Sequence, residues 1–550
     1  MSGQVEIKSP WLWGPARDLL FGCGVWYIFF FAFLIVAGPG LRSLQPLYLA
    51  PFLILLIATP HYGATLLRVY EHRDERRAYA LFTVWTTAGL LLLFAWGVQN
   101  AAVGTLLFTA YLTWSPWHYT GQNYGIAVLF MRRRNVPADR AKRWLYASFI
   151  LSFALTFLVM HEESETPRGL AEGGIHLARL GIPTWFTRVA IPLTAGAWSV
   201  ALLGTALLLR KHGRLRHLLP VGLLALSQAL WFTLPDLARY FGDSRLAVEA
   251  LDFDYRAFYF NWVVLAHALQ YLWITSYYAK AEEDRSRGTP RYFTKTLLAG
   301  NVAWIAPALI FAPQILGGAV SEVSVALLVA ALVNLHHFVL DGAIWKLRDS
   351  RVANLLIRNK PSRSARTAPS SSKKRTSLTW PAHLFWVGAS LLLLVALVEF
   401  VGLQVLTPTW LAENQTRRVE SVLDTLAWVG RDSATARTQL GHTLAGQSED
   451  EKALEAFRRS HELTPAAETL AEVARLEFQL GFSDAAVVSI DRAAELAPDR
   501  ADVLRLAGEI QLATGHPESA RSYFQRTLKL NPDSTLATEG LREIRRRSAK

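Results

Sequence analysis

Five histidines lie inside apolar stretches of this sequence, where an ionisable side chain is costly and tends to face a protein interior or a cavity. They are His61, His118, His267 and the adjacent pair His336 and His337. Neutral imidazole is the commonest metal ligand among side chains. A ring of imidazoles suits iron, zinc or copper better than magnesium or calcium, and haem is a further alternative.

Three of these histidines are followed within about one helical turn by an amide or a carboxylate. The pairs are His337 with Asp341, His118 with Gln122 and His267 with Gln270. Residues at this spacing share one face of a helix, and such groups orient a ligating imidazole through its second ring nitrogen. The sequence therefore predicts a metal site with four ligands and four supporting residues, the ligands being His61, His118, His267 and His337 and the supports Asp341, Gln122, Gln270 and His336.

His336 and His337 cannot both point at one site, because adjacent residues of a helix differ in direction by about 100°. We take His337 as the ligand, since Asp341 lies one turn further along the same face. Two other roles remain open for buried histidines, namely hydrogen bonds between helices and a proton or ion pathway. The remaining histidines at loops and helix ends are predicted to be solvated: His72, His161, His176, His212, His217 and His383.

The elements that carry the histidines are long apolar segments. Of the 550 residues, 52% are hydrophobic and only 18% are charged, and a helix needs roughly 20 apolar residues to cross a bilayer. The sequence predicts eleven such segments: 19–37, 45–67, 79–98, 101–131, 144–160, 186–209, 217–234, 257–279, 295–312, 318–346 and 383–405.

Basic residues predict the orientation of these segments. The net charge of +13 comes from short Lys/Arg clusters between apolar runs, which is the pattern of membrane topology and excludes nucleic acid as the partner. The richer clusters follow even-numbered segments, so the N-terminus is predicted to be cytoplasmic and the C-terminal domain to lie across a bacterial inner membrane, in the periplasm. The histidines lie on segments two, four, eight and ten, at depths within roughly 10 Å of one another, so they are expected to meet in the inner half of the membrane.

Composition divides the chain into five regions. We predict a transmembrane bundle over 1–347, a basic flexible linker over 348–380, a last transmembrane helix over 381–406, a connecting segment over 407–432 and a repeat domain over 433–550. The repeats have a period near 34, marked by Pro465, Pro498 and Pro532 at the ends of successive units. The fold class is therefore all-α, a polytopic helical bundle followed by a soluble helical solenoid.

The repeat pattern resembles the tetratricopeptide repeat (TPR) family. The residues that carry the resemblance are the recurring small and apolar positions Leu440, Gly441, Ala453 and Phe457, with Leu504, Gly508, Ala520 and Phe524. The resemblance implies helix pairs with a concave face for a protein or peptide partner.

In general design, the histidines on separate membrane helices resemble integral-membrane iron oxygenases, including the Brp/Blh type that cleaves beta-carotene. The resemblance rests on His61, His118, His267 and His337, and it implies iron and O₂-dependent oxidation of an apolar or lipid substrate. Two alternatives remain: a non-enzymatic membrane scaffold that organises an envelope complex through its repeats, and a transporter. For the transporter, the membrane segments show no internal repeat.

Overall fold

A computed structural model describes residues 9–37, 49–70, 79–136, 139–163, 175–212, 215–241, 253–282, 289–312, 316, 322–345, 356–357 and 380–548. These residues form helices and contain no β-strand. The chain divides into two compact units, which we call the bundle (Met1–Pro307 with Leu327–Ala396) and the solenoid unit (Ala308–Ala326 with Leu397–Lys550). Apart from 356–357 and 380, the predicted linker lies outside the described residues.

Every predicted apolar segment coincides with a helix. In chain order these are α1 (Pro15–Gly22), α2 (Val25–Ala37), α3 (Leu49–Tyr70), α4 (Leu81–Gln99), α5 (Ala101–Arg133), α6 (Asp139–His161), α7 (Thr184–His212), α8 (Leu218–Ala238), α9 (Phe253–Glu282), α10 (Thr289–Ile310), α11 (Glu322–Ile344) and α12 (His383–Ala412).

Eight helices in the described part of the chain are long and apolar enough to cross a membrane, or nine if the bent pair α1 and α2 is one span. The predicted α5 and α9 are not among them. Both carry polar side chains along much of their length, including His118 and Asn123 of α5 and His267 and Gln270 of α9, which lower the mean hydropathy. The count of eleven spans stays a prediction.

Two glycines allow a short distance between the backbones of α3 and α10. A Cβ atom on Gly63 would lie 1.8 Å from the carbonyl oxygen of Thr296, and one on Gly300 would lie 2.0 Å from that of Thr59. The backbones of the two helices therefore touch at this crossing, which only small residues allow. The residues of α3 in this contact, Thr59 and Gly63, lie two positions before and after His61, so the contact fixes the backbone that carries this histidine.

The solenoid unit is a stack of helix pairs. After α12 come α13 (Thr416–Trp428), α14 (Ala434–Gly446), α15 (Asp450–Leu463), α16 (Ala467–Gln479), α17 (Ser483–Leu496), α18 (Ala501–Ala513), α19 (Pro517–Leu530) and α20 (Thr535–Ser548). The pairs α14/α15, α16/α17 and α18/α19 match the three predicted repeats, and α20 follows them as the predicted last helix. Within the predicted connecting segment, α13 is helical.

The repeated small residues make close contacts inside these pairs. A Cβ atom on Gly441 would lie 2.9 Å from the ring of Phe457, and one on Gly508 would lie 2.5 Å from the ring of Phe524. In both pairs, the aromatic ring of the second helix packs on the glycine of the first. The TPR-like helical solenoid predicted from the sequence is the fold of this unit.

Candidate metal centre

Four histidines from four helices meet inside the bundle. The ring centroid of His61 lies 4.2 Å from that of His337 and 4.9 Å from that of His267, and the His118 centroid is 5.0 Å from both His267 and His337. Three of the side chains are no more than 2% exposed, and that of His118 is 10% exposed. The structure thus brings together the four residues that the sequence singles out.

The possible ligand atoms form two overlapping sets. One atom each from His61, His267 and His337 lies within 4.8 Å of the others, and the same holds for His118, His337 and Asp341. His337 belongs to both sets. A set of three protein ligands leaves coordination positions for water or substrate, which is the pattern of catalytic metal sites.

The ring nitrogens that converge here lack hydrogen-bond partners. The Nε2 atoms of all four histidines are buried and accept or donate no hydrogen bond among the described residues, and the same is true of His267 Nδ1. A buried polar atom without a partner loses its hydration at a cost of about 1–3 kcal/mol. Unpartnered nitrogens on four neighbouring imidazoles are a donor set that fits a transition-metal ion.

Asp341 joins the histidines to a pair of hydroxyl groups. Its Oδ2 atom lies 3.3 Å from His337 Nε2 and 3.9 Å from His118 Nε2. Its Oδ1 atom accepts hydrogen bonds from the hydroxyls of Thr65 (2.9 Å) and Tyr271 (2.7 Å). One carboxylate oxygen is therefore held by hydroxyls while the other faces the imidazoles.

Thr65 also sets the protonation of His337. The Thr65 hydroxyl lies 2.9 Å from Asp341 Oδ1, 2.5 Å from the Tyr271 hydroxyl and 3.0 Å from His337 Nδ1, so when it donates its proton to Asp341 it can accept the N–H of His337 Nδ1. In a neutral imidazole, a protonated Nδ1 leaves the lone pair on Nε2. In that tautomer, the Nε2 atom of His337, which lies beside Asp341, is the nitrogen able to bind a metal.

Thr65 and Tyr271 were not predicted as supporting residues, although the sequence contains the signal for them. Thr65 follows His61 by four residues, and Tyr271 follows His267 by four. This is the same one-turn spacing that pointed to Asp341. Extending the rule from amides and carboxylates to hydroxyl groups would have found both.

The predicted roles of Gln122 and Gln270 are wrong. Gln122 Nε2 donates to Gln270 Oε1 at 2.6 Å, and Gln270 Nε2 donates to the carbonyl oxygen of Gly22 and to Asn123 Oδ1. Neither amide bonds an imidazole nitrogen among the described residues. The long glutamine side chains reach past the histidines on their own helices and link α1, α5 and α9 to one another.

His336 is not a supporting residue either. Its Nε2 atom lies 2.9 Å from the Thr87 hydroxyl and 3.3 Å from the Tyr70 hydroxyl, so it faces α4. This is the turn of about 100° expected between neighbours on a helix. The prediction for His161 also fails, since that residue is 1% exposed and its Nε2 lies 3.0 Å from Thr113 Oγ1.

A cavity of about 330 Å³ adjoins the histidines. His118 and Asp341 form part of its wall, and its other lining residues come mainly from α5, α9 and α11 and are mostly apolar or aromatic: Trp114, Trp117, Ile126, Leu129, Tyr271, Ile274, Phe338, Trp345 and Leu356. Three glycines also line it, and a Cβ atom on any of them would meet only open space: Gly121, Gly125 and Gly342. Because Gly121 and Gly342 are exposed, the cavity reaches the surface of the bundle.

No protein-family model matches this chain, and no curated protein matches it. Among solved structures, it is similar to the first TPR of Spaghetti (RPAP3) bound to an HSP90 peptide, with 21% identity over 22% of this chain and 94% of that one and a TM-score of 0.21. It is also similar to YrrB, a TPR protein with an unusual peptide-binding site, with 18% identity over 30% of this chain and 82% of that one and a TM-score of 0.24. The resemblance to membrane oxygenases is not shown.

Proposed function

We propose that the bundle is a membrane-embedded metal centre in which His61, His118, His267 and His337 bind a transition-metal ion beside Asp341. The observation that carries this proposal is that four imidazoles from four helices meet while their Nε2 atoms have no hydrogen-bond partner among the described residues. Packing alone does not account for it, because buried polar groups are otherwise nearly always hydrogen-bonded.

The donor set favours iron, with zinc, copper and haem as the alternatives. His118, His337 and Asp341 provide two imidazoles and one carboxylate, the combination that non-haem iron(II) oxygenases use. When bound, iron of this kind supplies O₂ activation. The protein's own residues would hold the ion, orient His337 through Thr65, and exclude water from the site.

The cavity favours an apolar substrate. It connects the His118 and Asp341 side chains to the surface of the bundle through a lining of mostly apolar and aromatic residues. The bundle also exposes large apolar side chains such as Val36, Leu92 and Trp185, as a surface in contact with lipid does. We therefore propose O₂-dependent oxidation of an apolar or lipid substrate that enters from the bilayer.

For the solenoid unit we propose binding of a protein or peptide partner, because stacked helix pairs form extended concave surfaces for such ligands. The proposed location is a bacterial inner membrane, with the N-terminus cytoplasmic and the solenoid unit periplasmic. A reporter fused after Lys550 tests this orientation. A cytoplasmic signal would show that the number of crossings is even.

Metal analysis of the purified full-length protein tests the proposed centre. We expect stoichiometric iron, and its loss in both His118→Ala and His337→Ala. Wild-type protein that binds neither iron, zinc nor copper after anaerobic incubation with each would overturn the proposal. The bundle would then serve as the membrane anchor of a TPR scaffold.

A further inference from the structure

The helices α12 and α13 form an antiparallel hairpin. The chain reverses at 413–415, where Asn414 has a φ of 58°. A Cβ atom on Gly402 of α12 would lie 2.9 Å from Val422 of α13, so the two helices are in close contact. α13 therefore runs antiparallel to α12, toward the apolar N-terminal part of α12.

An ion pair shows which part of α12 lies beside the C-terminal end of α13. Arg431 Nε donates to Glu399 Oε2 at 2.8 Å, and both side chains are about one-fifth exposed. Glu399 and Trp428 stand about equally far from the turn, roughly 20 Å at 1.5 Å per residue. The end of α13 thus lies beside the part of α12 around Glu399.

This end of the hairpin is apolar and uncovered. Trp428 is 93% exposed and Val429 is 40% exposed. At the same level of α12, Leu397, Val398 and Val401 are each just over 40% exposed. Beyond this level the environment changes, since Leu403 and Leu411 of α12 pack against the core of the solenoid unit.

The length of α12 places this patch relative to a bilayer. From His383 to Val401 the helix rises about 27 Å, close to the roughly 30 Å thickness of the hydrocarbon. If α12 crosses the membrane, its lipid-facing part ends at the level of Trp428. Tryptophan is enriched at this boundary because its ring is apolar and its N–H is polar.

From this geometry we infer that Trp428 and Val429 insert into the interfacial region of the bilayer beside α12. The patch lies at the level where the exposed apolar surface of α12 ends, which is the reason to assign it to lipid. The Arg431–Glu399 pair locks it at that depth. The hairpin would fix the first helices of the solenoid unit at the membrane surface, whatever the partner of the repeats is.

This inference rests on the proposed membrane crossing of α12 and is independent of the metal. Its test uses the full-length protein with Cys23, the only cysteine, replaced by Ala, reconstituted in phosphatidylcholine/phosphatidylglycerol nanodiscs. A single spin label is placed at Trp428→Cys. Matched labels go to Leu391→Cys, 58% exposed earlier on α12, and to Phe482→Cys, 55% exposed on the solenoid unit.

We expect the ratio of oxygen to nickel-chelate accessibility to be several-fold higher at 428 than at 482, approaching that at 391. If the accessibility ratio at 428 equals that at 482 while 391 is exposed to lipid, this inference is wrong but the membrane crossing of α12 stands. A label at 428 shielded from both reagents would also overturn it, in favour of a protein contact. A water-accessible label at 391 would show that α12 does not cross the membrane, so the inference would fail together with that crossing.

Discussion

Two buried polar clusters, one in each unit, differ in whether their atoms have hydrogen-bond partners. In the solenoid unit, the fully buried Asp432 accepts hydrogen bonds from the Nε atoms of Arg437 and Arg459, both at 3.0 Å. Burial alone would lower the pKa of Arg437, but its hydrogen bonds to Asp432 and Asp424 more than offset this and raise it. In the bundle, four imidazoles meet and their Nε2 atoms bond nothing in the described residues.

The presence or absence of hydrogen-bond partners distinguishes polar groups that stabilise the fold from polar groups that could bind a ligand. A satisfied buried network is complete within the chain, so it needs nothing else to be stable. An unsatisfied cluster costs stability unless something outside the chain completes it. The buried charges of the solenoid unit are therefore structural, and the histidines of the bundle are the candidate site.

The strongest test of this contrast compares two adjacent histidines. We expect His337→Ala to abolish metal binding, because His337 belongs to both possible ligand sets. His336→Ala is the matched control, since its hydrogen bonds run to Thr87 and Tyr70 instead. Elemental analysis of both purified variants is the measurement. Equal loss of metal in both would mean that the cluster does not bind it specifically.

On the solenoid side, Asp432→Ala should lower the free energy of unfolding by about 1.5–3 kcal/mol, because it removes the buried carboxylate that Arg437 and Arg459 share, although Arg437 keeps Asp424 and Arg459 keeps Glu462. Hydrogen exchange of α14 and α15 in the intact protein measures this. As the control, Glu495→Ala breaks an exposed pair with Arg492 and should cost less than about 1 kcal/mol. Similar exchange in the two variants would contradict the structural role.

Asp341→Asn should weaken metal binding by about 10–100-fold without abolishing it, because it removes the carboxylate charge beside His118 and His337 but leaves the four imidazoles. Competition with a chelator measures the affinity. Tyr271→Phe removes only one of the two hydroxyls on Asp341 Oδ1 and should have a smaller effect. A larger loss in Tyr271→Phe would show that the hydroxyl, not the carboxylate, supports the site.

Filling the cavity should leave the metal in place. In Gly125→Leu the new side chain occupies open space, and we expect binding of trans-parinaric acid, a polyene probe, to weaken by about tenfold, or 1.4 kcal/mol. Gly222→Leu is matched, since Gly222 also faces open space but lies outside the cavity lining. Probe fluorescence and metal content are measured together. Unchanged probe binding in Gly125→Leu would exclude the cavity as the apolar site.

Much of this architecture could be predicted from local patterns. Apolar length predicted a helix at every segment, and the spacing of Pro465, Pro498 and Pro532 predicted the helix pairs of the solenoid unit. The common direction of four segments also predicted that their histidines could meet. Each of these follows from periodicity or composition, which a sequence displays directly.

The details of the centre could not be predicted in this way. Helical spacing predicts which side chains lie on the same helix face as a histidine. It does not predict which neighbouring helix packs against that face. By spacing alone, Gln122 and Gln270 are equivalent to Asp341. In the structure only Asp341 is short enough and correctly placed to remain beside the imidazoles.

By itself, the sequence determined the helices, the repeats and the four histidines, because these depend on residues close together in the chain. Only the tertiary structure decided that the Nε2 atoms of the four neighbouring imidazoles have no hydrogen-bond partner among the described residues, that Thr65 and Tyr271 bond Asp341, and that α12 belongs to both an apolar segment and the solenoid core. These depend on how closely helices approach one another, as at Gly63 and Gly300, and such distances are set by packing between remote parts of the chain.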